Sequence, residues 1–131
     1  MILYHFCANR HAQQIMRGGL TMGGVLEPEN GIVHDGYIWL TLDKDPAHQG
    51  SWATRHIIPY SRTAWRLTVS IPNSVSHRIL GRKELAARWP STEQLFEGFD
   101  GSESWRVFHG HIPPAWIIKA EKIEEREATK Q

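Results

Sequence analysis

The sequence predicts an α+β fold, a mainly antiparallel sheet of about five to six strands with two or three short helices. Three observations lead there. Short runs of branched and aromatic residues recur along the chain, helical spacing is confined to brief stretches, and irregular Gly- and Pro-containing segments separate them.

Ile2 to Phe6 reads as the first strand, with Leu3, His5 and Cys7 on one face and Tyr4 and Phe6 on the other. Asn9 is placed to cap a helix whose apolar face holds Ala12, Ile15, Met16 and Leu20, and Gly18-Gly19 supplies its stop. Thr21 to Gly36 holds four glycines and a proline without useful periodicity, and reads as a loop. Tyr37 to Leu42 is a strand. Asp43 to Arg62 is mixed, with one helical turn expected near Asp45-Pro46. Ala64 to Ile71 is the strongest strand pattern, closed by Pro72.

Arg82 to Trp89 is helical in composition and stops at Pro90. Ser91-Thr-Glu-Gln has the capping-box pattern and opens a second short helix. Gly98 to Glu103 is a polar turn, Ser104 to Gly110 a strand, Pro113-Pro114 a corner and Trp116 to Ile123 the last strand. Residues 1–123 form one globular domain on this reading, and 124–131 a charged tail. A chain of 131 residues suits a single core.

Composition narrows the function classes. Fifteen basic residues stand against 14 acidic ones and do not cluster, so no electrostatic footprint for nucleic acid is expected. Cys7 is the one cysteine, which rules out an intrachain disulfide. No secretory signal is expected from the opening, and no stretch nears the roughly 20 apolar residues of a membrane helix. A cytoplasmic protein with no membrane partner is the simplest expectation. Six Trp and eight His are unusual, and suggest aromatic surfaces with polar edges.

Four constellations could carry chemistry. His5 on the first strand could orient a polar ligand, for instance through a ribose hydroxyl, or simply hydrogen-bond to backbone. Tyr37, Trp39 and Thr41 share one face of the second long strand, suited to stacking on a nicotinamide or a base, while Ile38, Leu40 and Leu42 form a core face. Glu93, Glu97, Asp100 and Glu103 precede the Ser104 strand, where a carboxylate could stabilise a developing positive charge or be a solvated turn. His109 and His111 share a strand face with metal-site spacing, but no third ligand is tied to them, so no metal is expected. No nucleophile elbow, Walker loop or dinucleotide glycine fingerprint is present.

Tyr4-His5-Phe6, Arg17-Gly-Gly-Leu20 and Tyr37-Ile-Trp-Leu-Thr41 together resemble the front half of small ADP-ribosyltransferases. The likeness is to the branch marked by a strand histidine, a second-strand aromatic and a late acid, which includes toxin-associated and rifampicin-modifying transferases. It spans roughly the first 45 residues. It implies a split β-sandwich that grips NAD as cofactor. It further implies His5 on the nicotinamide-side ribose, and Tyr37 or Trp39 stacked on nicotinamide with Thr41 beside them. The late acid would come from Glu97, Asp100 or Glu103, with Glu103 preferred because it sits just before a strand. Arg17 or Arg66 would meet the phosphates. No obvious Gln-x-Glu or Glu-x-Glu motif stands in the late-acid stretch Glu93 to Glu103, which argues against arginine-directed transfer. The acceptor is left open among a protein side chain, a nucleobase, a small molecule and water. The competing expectations are a non-catalytic binding protein with an aromatic-rich interface, for example an inhibitor of a defence or restriction complex, and a metal-dependent hydrolase built on His109 and His111.

Overall fold

Alternating side chains make β1 (Ile2–Cys7) a strand with two different faces, and its position between β4 (Tyr37–Thr41) and β5 (Trp65–Ser70) makes it central. The computed structural model describes residues 1–45, 64–99 and 101–123. Within them the chain runs β1, α1 (Asn9–Gly18), β2 (Gly24–Glu27), β3 (Ile32–Asp35), β4, β5, β6 (Ile79–Leu80), α2 (Arg82–Arg88), β7 (Trp105–His109) and β8 (Ile117–Lys122). Short 3₁₀ turns at Asn73–Arg78, Pro90–Leu95, Ser102–Ser104 and Pro114–Trp116 fill the connections. The fold is α+β. Six strands form one antiparallel sheet in the order β6-β7-β4-β1-β5-β8, and β2 and β3 form a separate two-stranded ribbon.

The sheet is unevenly knit. β1 pairs with β5 at six positions from Ile2–Ser70 to Cys7–Trp65, and β4 with β7 at five. β1 and β4 pair only at Tyr4–Thr41. The two halves, β6-β7-β4 and β1-β5-β8, are therefore joined by one ladder position and part beyond it. The implied sandwich of two facing sheets takes this form instead, a single sheet split near its centre.

One face carries the main core. Leu3, Leu67 and Val69 are fully buried there, packed with Ile38, Leu40 and Phe108 and covered by Ala12 of α1 together with Leu20 and Ile112. Burying each of the larger side chains stabilises the fold by about 1.5–3 kcal/mol. The opposite face has a smaller core of Val25, Tyr37, Leu80, Leu85, Phe96 and Val107, flanked by Trp39, Trp89 and Trp105. This second layer spans β4, β6 and β7 and ends at the split.

Several local expectations are revised. Ala8, not Asn9, occupies the N-cap of α1; the Asn9 side chain accepts a hydrogen bond from Trp65 Nε1 at 2.7 Å and ties the helix start to β5. Met16 is exposed rather than part of the apolar face. The segment read as a loop contains the β2–β3 ribbon, because Gly31 at φ 68° turns the chain and Val25 finds a core to fill. Ser91 caps nothing: its hydroxyl accepts the Glu29 N–H, and the turn at Pro90–Leu95 is 3₁₀. The capping contact forms at α2 instead, where Gly81 N–H donates to Glu84 Oε1 at 2.6 Å. The helical turn expected near Asp45-Pro46 and the charged tail 124–131 lie outside the described residues, apart from Asp45 itself.

Gly19 ends α1 at φ 83°, and its N–H donates to Ile15 O at 2.7 Å. An added Cβ there would collide with the Ile112 carbonyl oxygen, just where Leu20 bridges to Ile112. Gly19→Ala is expected to cost about 2 kcal/mol or more in chemical denaturation. Gly18→Ala, with open space at its Cβ, should cost much less. Equal losses for the two would show that the Gly19 geometry is not the constraint.

Candidate functional site

Where β1 and β4 part, the His5 ring crosses the gap and its Nδ1 lies 2.9 Å from Trp39 O. A carbonyl oxygen only accepts, so Nδ1 carries the proton. Part of the residue's surface remains open, yet protein packs densely round the ring, and this burial holds its pKa below the ordinary 6.5 despite the bond to Trp39. The imidazole is therefore neutral at pH 7, with Nε2 left as a bare acceptor. His5 belongs by alternation to the main-core face, but it also borders a cleft on the other side of the split.

That cleft holds about 540 Å³. Its floor is Tyr4 and Phe6 of β1 with Trp39 and Thr41 of β4, and Trp105 of β7 closes one side. Leu26 and Pro28 of the ribbon and Gln94, Leu95 and Phe99 complete the wall, so the lining is largely apolar and aromatic. No Lys, Arg, Asp or Glu lines it among the described residues.

Local bonds hold the aromatic wall in position. Trp39 Nε1 donates to Gly24 O at 2.9 Å, which ties β4 to the ribbon. Ser102 Oγ donates to Phe96 O at 2.8 Å from a fully enclosed position, bracing the turn that carries Phe99 toward Trp105. The Phe99 and Trp105 rings lie 5.7 Å apart, and Trp39 meets Trp105 edge-on at 6.2 Å. Trp105 Nε1 stands out. It is the one buried side-chain nitrogen or oxygen without a hydrogen-bond partner among the described residues. An unpaired buried donor costs about 1–3 kcal/mol.

The structure brings together some of the expected residues and separates others. His5, Trp39 and Thr41 all border the cleft, and the Thr41 hydroxyl accepts the Asp43 N–H at 3.0 Å. Tyr37 does not border it. Its ring is stacked on His109 at 4.5 Å and meets Trp89 edge-on, and its hydroxyl accepts from Arg88 Nη1, so it is a core residue. Arg17 is exposed on α1, the helix packed against the other side of the sheet. Arg66 is paired with Glu121 at 3.1 Å and donates to Lys44 O.

Among the acids, Glu93 is held by Arg82 through two bonds of 2.9 Å, which lower its pKa. Glu97 and Glu103 are exposed and outside the cleft lining, and Asp100 lies outside the described residues. His111 does not share a strand face with His109. β7 ends at His109, and Gly110 at φ 133° turns the chain away. Burial pushes the Cys7 thiol up to about 11, which keeps it protonated.

Phe99, Gln94 and Trp105 were missed as cleft residues. Gln94 lies in a segment read as a short helix, Phe99 in a turn and Trp105 in a strand, and nothing in their spacing to β1 or β4 announces the meeting. Trp105, paired with Thr41 across β4 and β7, was reachable only through strand register. Comparison with known proteins adds no identity. No protein-family model and no curated protein matches the chain.

The neutral His5 has a consequence for stability. The unfolded chain takes up the His5 proton first as pH falls, so stability is full above about pH 6.5 and declines below it, toward the lowered folded value. His5→Gln should show a shallower decline than the native chain when denaturation midpoints are compared at about pH 7.5 and about pH 5. Identical declines would show that folding does not lower the His5 pKa.

Proposed function

We propose that this cleft binds the nicotinamide riboside end of NAD and that the protein is an ADP-ribosyltransferase-like enzyme. The observation that carries the reading is His5, fixed as a neutral acceptor at the strand split and facing an aromatic cleft. Trp39 would stack on the nicotinamide ring, and His5 Nε2 would accept a ribose hydroxyl proton in a hydrogen bond.

The chemistry follows from where charge moves. Breaking the bond between ribose C1′ and the pyridinium nitrogen sends the electron pair to nitrogen. Neutral nicotinamide departs, and positive charge develops on the sugar. An acceptor nucleophile then attacks C1′ and loses its proton; water in that role gives NAD glycohydrolysis. A lone-pair acceptor on the ribose hydroxyls favours the electron-poor sugar, and an apolar pocket suits the uncharged leaving group better than the pyridinium. Glu103, two residues before Trp105, and Asp100 are the acids proposed to stabilise the charge that develops on the sugar. Arg66 is the proposed phosphate contact.

A second reading is a binding protein that holds its ligand or a partner without turnover. It is favoured by the absence of a carboxylate from the cleft lining among the described residues. Exposed Leu26, Ile32 and Val33 on the ribbon would add apolar area at an interface.

Incubation with NAD separates the two. The enzyme reading expects nicotinamide release and a higher melting temperature with NAD. Release should fall about a hundredfold or more in His5→Ala and in whichever of Glu103→Gln or Asp100→Asn removes the acid. A melting-temperature rise without release, with every acceptor class tried, would leave the binding reading. No rise and no release would sink the NAD assignment.

A further inference from the structure

We infer that Trp105 is a specificity-determining residue of the cleft, donating its indole N–H to a ligand carbonyl, and that the site selects an uncharged aromatic carboxamide over the matching carboxylate. The inference rests on the reading of the cleft as the nicotinamide end of an NAD site.

Three observations support it. Trp105 Nε1 lacks any partner although it is buried, while every other buried side-chain polar atom among the described residues has one. The same ring forms a wall of the cleft. An indole N–H can only donate, whereas the neutral His5 has Nε2 as an acceptor, so two residues of the lining carry one unpaired donor and one acceptor. A flat ring carrying a carbonyl matches that donor. A carboxylate would enter a lining without Lys or Arg among the described residues and lose its hydration for one neutral hydrogen bond. The surrounding side chains shield Nε1, so donation to a ligand requires the indole to turn toward the cleft. A cleft of about 540 Å³ has room for a pyridine ring.

The Ser102–Phe96 brace and the Phe99 contact hold the segment around Trp105, so Trp105→Phe keeps an aromatic side chain there, smaller and without the donor. The probes are nicotinamide, 3-methylpyridine, which lacks the carbonyl, and nicotinate. Their affinities are measured by titration calorimetry or ligand-detected NMR on the full chain. The native protein should bind nicotinamide about tenfold tighter than either of the others. Trp105→Phe should reduce nicotinamide affinity about fivefold to tenfold and leave 3-methylpyridine unchanged. The indole N–H resonance that Trp105→Phe removes should move downfield in the native protein when nicotinamide is added. That resonance is read without a variant, so a poorly folded Trp105→Phe leaves the test intact.

Nicotinamide that fails to bind, that leaves this resonance in place, or that binds no better than 3-methylpyridine or nicotinate overturns the inference. NAD turnover with no Trp105 response overturns it alone and leaves the enzyme reading standing. A Trp105 response to nicotinamide, with no binding of NAD, overturns the NAD reading while the carboxamide preference stands.

Discussion

The centre of the sheet depends on a bond that is not part of any backbone ladder. β1 and β4 pair at Tyr4–Thr41 and then diverge, and the His5 imidazole spans the opening to reach Trp39 O. The bond is intelligible only in its setting. A backbone carbonyl at a parted strand needs a donor, since a buried unpaired carbonyl is costly, and the neutral imidazole supplies one without bringing a charge into the core. This contact links β1 to β4 beyond their one ladder position, sets the tautomer of His5 and leaves its second nitrogen without the proton.

Everything around the cleft follows from an incomplete second layer. The main core covers its face of the sheet continuously from α1 to Phe108. On the other face, the described core rests on β4, β6 and β7, so the aromatic rings at its margin meet open space. Trp39 and Trp105 stand at that margin. Ties to Gly24 and between Ser102 and Phe96 limit how far the wall can relax. Two charged pairs near this region, Arg82 with Glu93 and Arg66 with Glu121, lie outside the cleft lining. The site is therefore suited to a flat uncharged ring.

Much of the fold was legible because it rests on local signals. Alternation located β1, β4, β5 and β7 within a residue or two, Gly19 ended α1, and Pro90 ended α2. Two of the errors came where a side chain found a distant partner. Asn9 takes Trp65 instead of capping its own helix, and Ser91 takes Glu29 instead of opening one. In the site, alternation correctly grouped Tyr37, Trp39 and Thr41 on one face, but a shared face does not mean a shared environment. Tyr37 is enclosed between His109, Trp89 and Arg88, while Trp39, two residues on, borders the cleft.

The sequence by itself determined the α+β class, the antiparallel strands, the helix stop at Gly19 and the histidine at the centre of β1. These depend on side-chain alternation and backbone preference, which act over a few residues. Only the tertiary structure decided that β1 and β4 part after one pair, that His5 is neutral with Nδ1 committed to Trp39, and that Phe99 and Trp105 complete the cleft. The reason is physical: strand register, desolvation and the pairing of a donor with a distant carbonyl depend on what packs across the sheet. Two segments about 60 residues apart in the chain set the environment of His5 only once they are brought together.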